Sequence, residues 1–141
     1  MDSAPLHQAI ARLAAEMTAH GKHRDDPARE VMGLLGDRWS TLILLVLETG
    51  EWRHADLRRT LGQLSAEQAI SQRVLTLKLR TLERDGFVAR TITGSVPPKV
   101  SYRLTPLGRD LHGQARALID WINTRADNIR LARERFDAAD S

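Results

Sequence analysis

The sequence predicts a mainly helical protein with one small β-hairpin, an α+β fold organised as a winged helix-turn-helix. Three observations support this prediction. Residues 70–86 form a basic amphipathic pattern bounded by an N-cap residue, Ser71, and a terminating glycine, Gly86. Two strand-like runs follow, joined by a loop that contains Pro97 and Pro98. A short helical pattern precedes the basic helix, so the order is helix, helix, hairpin.

Positive charge is concentrated in this part of the chain. Residues 70–108 hold seven Lys or Arg and two acidic residues, a net charge of +5, whereas all 141 residues together carry +3. A compact cationic surface suits a polyanion, so double-stranded DNA is the expected partner. The absence of cysteine excludes disulfides, thiolate metal sites and sensing by thiol oxidation.

Length and composition predict one domain with a real hydrophobic core, since 42% of the 141 residues are apolar. Aromatic residues make up only 4%, while Leu and Ala are abundant, which favours helices. The N-terminus has no long apolar run, so neither a signal peptide nor a transmembrane helix is predicted. A cytoplasmic protein with no membrane partner is expected.

The first two predicted helices lie before residue 37. Residues from about Ala4 to His20 have one apolar face, with apolar residues at steps of four, three and four: Leu6, Ile10, Leu13 and Met17. Polar residues 21–26 link this helix to the next one. That helix is predicted to begin at Pro27, with Asp26 as N-cap, and to stop near Gly36.

The middle of the chain is predicted to hold a buried helix and a short one. Ser40 or Thr41 can cap the buried helix, whose run 42–47 is apolar nearly all round. It ends at 49–50, and residues 51–53 could be a short extended segment. The short helix covers Ala55–Leu61.

The connection Gly62–Ala69 leads to the basic helix and holds a capping-box pattern, Ser65 with Gln68. In the basic helix three leucines are predicted to face the core: Leu75, Leu79 and Leu82. The strands are predicted at Phe87–Ile92 and Val100–Leu104. A last helix is predicted from Thr105 and Pro106 to about Phe136, with these apolar residues: Leu107, Leu111, Ala115, Leu118, Ile122 and Ile129.

Both terminal helices have long apolar faces. We expect them to pair with the same helices of a second copy, although closing the monomer's own core is the alternative. The expected organisation is an N-terminal dimerisation helix and linker at 1–25, a winged helix-turn-helix at 26–105 and a C-terminal dimerisation helix at 106–141. A two-fold dimer places two reading helices about one DNA turn apart, roughly 34 Å.

The basic helix carries a second stripe opposite its core face: Arg73, Leu77, Arg80 and Arg84, with Gln72 and Thr76 alongside. In helix-turn-helix proteins the first half of this helix enters the major groove, where Gln can bond adenine and Arg can bond guanine. The alternative is a solvated charged face. Leu77 could touch a thymine methyl or pack against residues 62–69, and packing is the preferred interpretation.

The hairpin supplies three further cations. Lys99 lies beside the stiff pair Pro97 and Pro98, and Arg90 and Arg103 lie on the strands. We expect Lys99 and Arg90 to grip phosphate or reach the minor groove. An ordinary hairpin with solvated basic residues is the alternative.

Catalytic and metal-binding patterns are weak. His20 and His23 with Asp25 and Asp26 resemble a metal cluster loosely, but a polar linker is the better interpretation. No Ser-His-Asp arrangement, apolar carboxylate pair or phosphate-cradling glycine loop stands out. We therefore predict no enzyme activity, no cofactor and no metal.

Several ordered motifs resemble the HxlR-type group of bacterial regulators, related in fold to MarR-type winged helices. They are LGDRWS at 35–40, DLRR at 56–59, ISQRVL at 70–75, LERDGFV at 82–88, VPPKVSY at 96–102 and LTPLG at 104–108. The resemblance implies a dimeric transcription factor on a palindromic operator. By position it implies that Ser71, Gln72, Arg73 and Thr76 face the groove and that Lys99 is a wing contact.

Three departures from the family pattern stand out. Many members carry a redox-sensing cysteine before the proline of the second helix, where this chain has Asp26. His54 stands where an aromatic residue is usual. The connection 62–69 is longer than the pattern, which leaves the placement of the basic helix open.

The function predicted from these patterns is a homodimeric, sequence-specific DNA-binding repressor, with Ser71, Gln72, Arg73, Thr76, Arg80, Arg90 and Lys99 as contacts. One alternative is a winged protein-interaction module that does not bind DNA. Another is a sensor whose small-molecule effector lies between the dimer helices and the winged body, with Trp39 and Trp121 as lining.

Overall fold

The computed structural model describes residues 4–65 and 69–141 and divides into two compact units, residues 1–41 and 42–141. The first unit contains α1 (Ala4–His20) and α2 (Pro27–Gly36), with the bounds that periodicity and Pro27 predict. Helix α3 covers Arg38–Leu47. Within the described residues, none of the helices has the length and hydropathy needed to cross a bilayer.

Two capping predictions in this region need correction. Asp26 occupies the N-cap position of α2, but its side chain makes no capping bond, and Oδ2 instead accepts from the His23 amide at 3.0 Å. Helix α3 starts earlier than a Ser40 or Thr41 cap would allow. Asp37 precedes it, and Asp37 Oδ2 accepts from the amide and the hydroxyl of Ser40, at 3.1 and 2.5 Å. Asp37 takes the capping role because it directly precedes the helix and its carboxylate reaches a free amide of the first turn, where Ser40 itself already lies.

The second unit is a winged helix-turn-helix. After α3 come β1 (Trp52–Arg53), α4 (His54–Leu64), α5 (Gln72–Arg84), β2 (Val88–Ile92) and β3 (Val100–Leu104). Helices α6 (Pro106–Thr124) and α7 (Ala126–Asp140) complete it. The fold is thus mostly helical with a small sheet, as predicted.

The sheet has three antiparallel strands in the order β1-β3-β2, one more than the predicted hairpin. Trp52 pairs with Tyr102, and Val88 pairs with Leu104. The segment 51–53, left open as an extended stretch, therefore supplies the edge strand. Two residues are too short for alternation to reveal a strand, so the pairing depends on the partner that the fold brings alongside.

The core of this unit is built from the leucines that the periodicity selected. Leu57, Leu61, Leu75, Leu79 and Leu82 are completely buried. The apolar run of α3 is also buried, since Ile43, Leu44, Val46 and Leu47 are 0–4% exposed. Burial on one face of α5 fixes which side of that helix is left for solvent or a ligand.

Hydrogen bonds join the turn between α5 and β2 to the start of α6. Gly86 has φ +86°, a conformation that suits the glycine after a helix. Thr105 Oγ1 donates to Gly86 O at 2.5 Å and accepts from Gly108 N at 3.0 Å, while Thr105 N donates to Phe87 O at 3.0 Å. These bonds join the end of the α5–β2 turn to the start of α6.

The prediction of a single C-terminal helix is wrong, because the structure has two helices, α6 and α7, in this part of the chain. Arg125 interrupts it with φ −109° and ψ 9°, and its guanidinium lies 4.7 Å from the centre of the Trp121 ring. The apolar spacing continues across this point, from Ile122 to Ile129, so periodicity alone does not show the break.

Candidate nucleic-acid interface

Helix α5 presents a charged face to solvent. Gln72, Arg73, Thr76, Arg80 and Arg84 are exposed, on the side away from the buried leucines. The sequence-predicted stripe is therefore accessible along the whole helix.

Ser71 fixes where this helix begins. Its backbone is extended, and Ser71 Oγ accepts from Val74 N at 3.1 Å. This satisfies one of the free amides of the first turn. The hydroxyl still has a proton to donate, so the cap leaves Ser71 able to bond an acceptor.

The connection into α5 is held by Arg58. Arg58 Nε donates to Ile70 O at 2.9 Å, and Ile70 is only 2% exposed. This bond ties α4 to the residue just before the Ser71 cap and so sets the position of α5. The predicted capping box between Ser65 and Gln68 involves Gln68, which lies outside the described residues.

His54 makes a contact that sequence reasoning did not predict. His54 Nε2 lies 3.0 Å from Thr76 Oγ1, and Thr76 Oγ1 donates to Gln72 O at 2.8 Å. Because the Thr76 hydroxyl donates its one proton to Gln72 O, it accepts from His54 Nε2, which requires the tautomer with the proton on Nε2. The 22-residue separation leaves no local signal for this pair; the motif showed only that His54 replaces an aromatic residue.

The environment of His54 favours its neutral form. Partial burial lowers its pKa below the ordinary value of 6.5, and the positive charge of Arg58 lowers it further. The ring also lies 6.3 Å from the Tyr102 ring, which anchors the corner to β3.

Arg80 and Arg90, both predicted contacts, share one acidic neighbour. Arg80 Nη1 is 3.8 Å from Glu83 Oε1, and Arg90 Nε is 3.7 Å from Glu83 Oε2. Glu83 Oε1 is buried and accepts no hydrogen bond from any described residue. Burial raises the pKa of Tyr102, which lies beside this cluster. The two arginines therefore differ from Arg73 in having part of their charge compensated.

Lys99 lies where the wing loop rejoins β3. Thr93 N donates to Lys99 O at 2.9 Å, and Lys99 N donates to Thr93 Oγ1 at 3.0 Å. The side chain of Lys99 is exposed, and its backbone is held by Thr93 as well as by the neighbouring prolines. The loop also presents an apolar side chain to solvent, because Val96 is 97% exposed.

The preferred interpretation, packing of Leu77 against the connection 62–69, involves residues 66–68, which lie outside the described residues. Leu77 itself is 56% exposed. Together with Gln72, Arg73 and Thr76 it lines an open recess of about 430 Å³ on the outer face of α5. A second recess, of about 340 Å³, lies between α4 and the start of α5.

The sequence also suggested a loose metal cluster and two tryptophans as the lining of an effector pocket. Among residues 4–65 and 69–141, no group of three or more His, Cys, Asp or Glu is arranged to hold a metal ion. Trp121 is 52% exposed, while Trp39 is half-buried. Within the described chain, the feature suited to a ligand is the cationic face of α5 with the adjoining wing.

Comparison with known proteins points in the same direction. Residues 34–130 match the model of the family described as HxlR-like helix-turn-helix. The HTH-type transcriptional regulator YtfH of Escherichia coli, itself uncharacterized, is 39% identical over 108 residues, covering 77% of this chain and 81% of YtfH.

Solved structures agree. The structure of YtfH from Salmonella typhimurium, a candidate transcriptional regulator, superposes with a TM-score of 0.65 at 38% identity, covering 79% of this chain and 95% of that one. The redox regulator HypR in its reduced form gives a TM-score of 0.62 at 33% identity, covering 74% and 97%.

Proposed function

The chain belongs to the HxlR-like helix-turn-helix family of transcriptional regulators, and on that basis we propose that it is a homodimeric repressor that binds a palindromic operator in the cytoplasm. Helix α5 enters the major groove, and the wing contacts the neighbouring backbone. Phosphate neutralisation supplies most of the affinity, and the first turns of α5 supply the sequence preference.

One observation carries this proposal: the exposed face of α5 is cationic from its capped N-terminus onward, while its other face is fully buried. Gln72 and Arg73 are exposed in the first turn, where base edges come within reach. In our assignment Gln72 bonds adenine, Arg73 bonds guanine and Ser71 faces the groove beside them, while Arg80, Arg90 and Lys99 contact phosphate. Thr76 lies at the groove.

Selection of bound sequences from a random duplex pool tests the proposal. We expect one enriched palindrome and an affinity that falls steeply with salt concentration. Replacing Gln72 or Arg73 by Ala should reduce discrimination between operator and random DNA by about 1–3 kcal/mol per lost bidentate contact. Equal loss on both duplexes would contradict base reading.

Lys99→Ala should weaken binding to every duplex alike and lower the salt slope by about one. The matched control is Arg24→Ala, which removes one exposed charge from the segment between α1 and α2. A protein whose affinity for all duplexes is low and independent of salt would support the protein-interaction alternative instead.

Dimerisation is supported by apolar side chains that a monomer leaves in water. In α1 the face of Leu6, Ile10, Leu13 and Met17 is 48–64% exposed. In α6 and α7 the exposed large apolar residues are Leu107, Leu118, Trp121, Ile122, Leu131 and Phe136. A second copy that covers these faces would bury them in a two-fold interface. Sedimentation equilibrium should give twice the chain mass, and a monomer at micromolar concentration would refute the dimer.

The inducing signal is proposed to be a small molecule and not a thiol oxidant. HypR is a redox regulator, whereas the present sequence contains no cysteine. Diamide should therefore leave DNA affinity unchanged, and a diamide-dependent release would overturn this part. The small-molecule assignment is tested by adding candidate effectors to the protein and measuring its tryptophan fluorescence, to which the exposed Trp121 contributes.

A further inference from the structure

We propose that the exposed face of α5 contains a site for the C5-methyl group of thymine, formed by Leu77 and the methyl group of Thr76. The inference rests on the proposed function. It identifies the base group of the operator that Leu77 and Thr76 of α5 would contact. Three observations support it: the exposure of Leu77, the hydrogen bonds of Thr76 and the charged surroundings of both.

Leu77 is the apolar exception on a cationic stripe. The other leucines of α5 face the core and are completely buried, whereas Leu77 is 56% exposed. It follows Arg73 by one helical turn, so the two side chains neighbour each other on the same face. It lines the recess with Gln72, Arg73 and Thr76. A leucine there cannot bond a base edge, but it can cover an apolar group.

Thr76 lines the same recess, and its hydroxyl is bonded inside the protein. The oxygen donates to Gln72 O at 2.8 Å and accepts from His54 Nε2 at 3.0 Å. Its one proton and one of its two lone pairs are thus used inside the protein, so the hydroxyl cannot donate to a base and keeps a single lone pair. We therefore assign the methyl group of Thr76, with the side chain of Leu77, to the apolar part of the recess that both residues line.

Thymine is the base that fits such a surface. In the major groove it alone presents a methyl group, while cytosine presents an amino donor that Leu77 would strip of water without replacing the bond. The exposed guanidinium groups of Arg73 and Arg84 make the surroundings of this recess cationic, as a polyanionic duplex requires. This charge favours a duplex over an apolar protein partner for the same recess.

The test replaces thymine by deoxyuridine, which removes the methyl group and keeps the base pairing. The operator from the random-pool selection is synthesised with one thymine changed at a time, and the dissociation constant of the intact wild-type protein is measured. At least one substitution in each half-site should weaken binding about three- to four-fold, the value of one methyl group removed from a buried contact.

Variants then assign the effect to residues. Leu77→Ala should bind the thymine and deoxyuridine operators equally at that position. Thr76→Val keeps the methyl group and should retain the preference, whereas Thr76→Ser keeps the hydroxyl and should lose part of it. Val74→Ala is the matched control, because it shortens a neighbouring side chain of α5 that does not line the recess. Thermal melts check that each variant is folded.

The outcomes separate the two proposals. An operator that is bound specifically but tolerates every deoxyuridine substitution would overturn the methyl site and leave the regulator function standing. A preference that persists unchanged in Leu77→Ala and in Thr76→Ser would also overturn it. Failure to select any duplex would refute the proposed function itself, and the methyl site with it.

Discussion

Gly108→Ala should destabilise the protein although it places a better helix former in a helix. Gly108 lies in the first turn of α6, and a Cβ built on it would lie 1.9 Å from Phe87 O and 2.9 Å from the Phe87 carbonyl carbon. Real Cβ atoms do not approach other atoms closer than 3.0 Å. The obstacle is main chain, so no side-chain rotation can relieve it.

The magnitude follows from what must move. Separating the Cβ from Phe87 O by more than 1 Å disturbs the bonds that Thr105 makes to Phe87 O and to Gly108 N, both 3.0 Å. Overpacking costs about 1–3 kcal/mol and a weakened hydrogen bond about 0.5–1.5 kcal/mol. Against this, the gain in helix propensity is at most about 1 kcal/mol. We expect a net loss of about 2–3 kcal/mol, or roughly 5–10 °C in Tm for a chain of this size.

Gly113→Ala in the same helix is the control, because a Cβ at Gly113 meets nothing within 4 Å. It should raise stability by about 0.5–1 kcal/mol. Urea unfolding followed by circular dichroism compares the two variants, at equal protein concentration since a dimer's stability depends on it. If Gly108→Ala proved as stable as Gly113→Ala, the close approach to Phe87 would not exist in solution.

Three further predictions concern α5 and its surroundings. Ser71→Ala should cost about 1 kcal/mol of unfolding free energy by loss of the cap, while Ser71→Asp should restore the urea midpoint and weaken DNA binding; an Ala variant with an unchanged midpoint would argue against the cap. The folded-state pKa of His54 lies below its ordinary value of 6.5. As the pH falls, the unfolded chain therefore binds the proton before the folded one does. The free energy of unfolding should consequently decrease as the pH drops below about 6.5. His54→Gln should flatten that part of the Tm profile, and an identical profile would contradict the burial of the ring. Glu83→Gln should change stability by less than about 1 kcal/mol, yet it releases Arg80 and Arg90 and should tighten DNA binding with a steeper salt dependence in a gel-shift assay.

The sequence was sufficient wherever local interactions decide the structure. Bounds of α1, α2 and α5 follow from apolar spacing, a proline at a first helical position and the Ser71 cap. Leucine spacing also identified the buried face of α5 and hence the opposite, cationic face. These features depend on residues within one or two turns of each other, which a one-dimensional pattern contains in full.

Other features of the candidate site depend on residues far apart in the chain. His54 and Thr76 meet through the packing of α4 against α5, and no pattern indicates that this histidine would occupy that hydroxyl. The exposure of Leu77 likewise depends on the residues that the fold brings near it, so spacing alone could not choose between packing and a role at the DNA.

By itself the sequence determined the kind of fold, the order of its elements and the cationic stripe, because periodicity, caps and charge act over a few residues. Only the tertiary structure decided that Trp52 and Arg53 form an edge strand, that the last helix breaks at Arg125 and that Gly108 must lack a side chain. Each of these is set by a partner distant in sequence or by the geometry of a junction, and the free energy of such contacts exists only once the chain is folded.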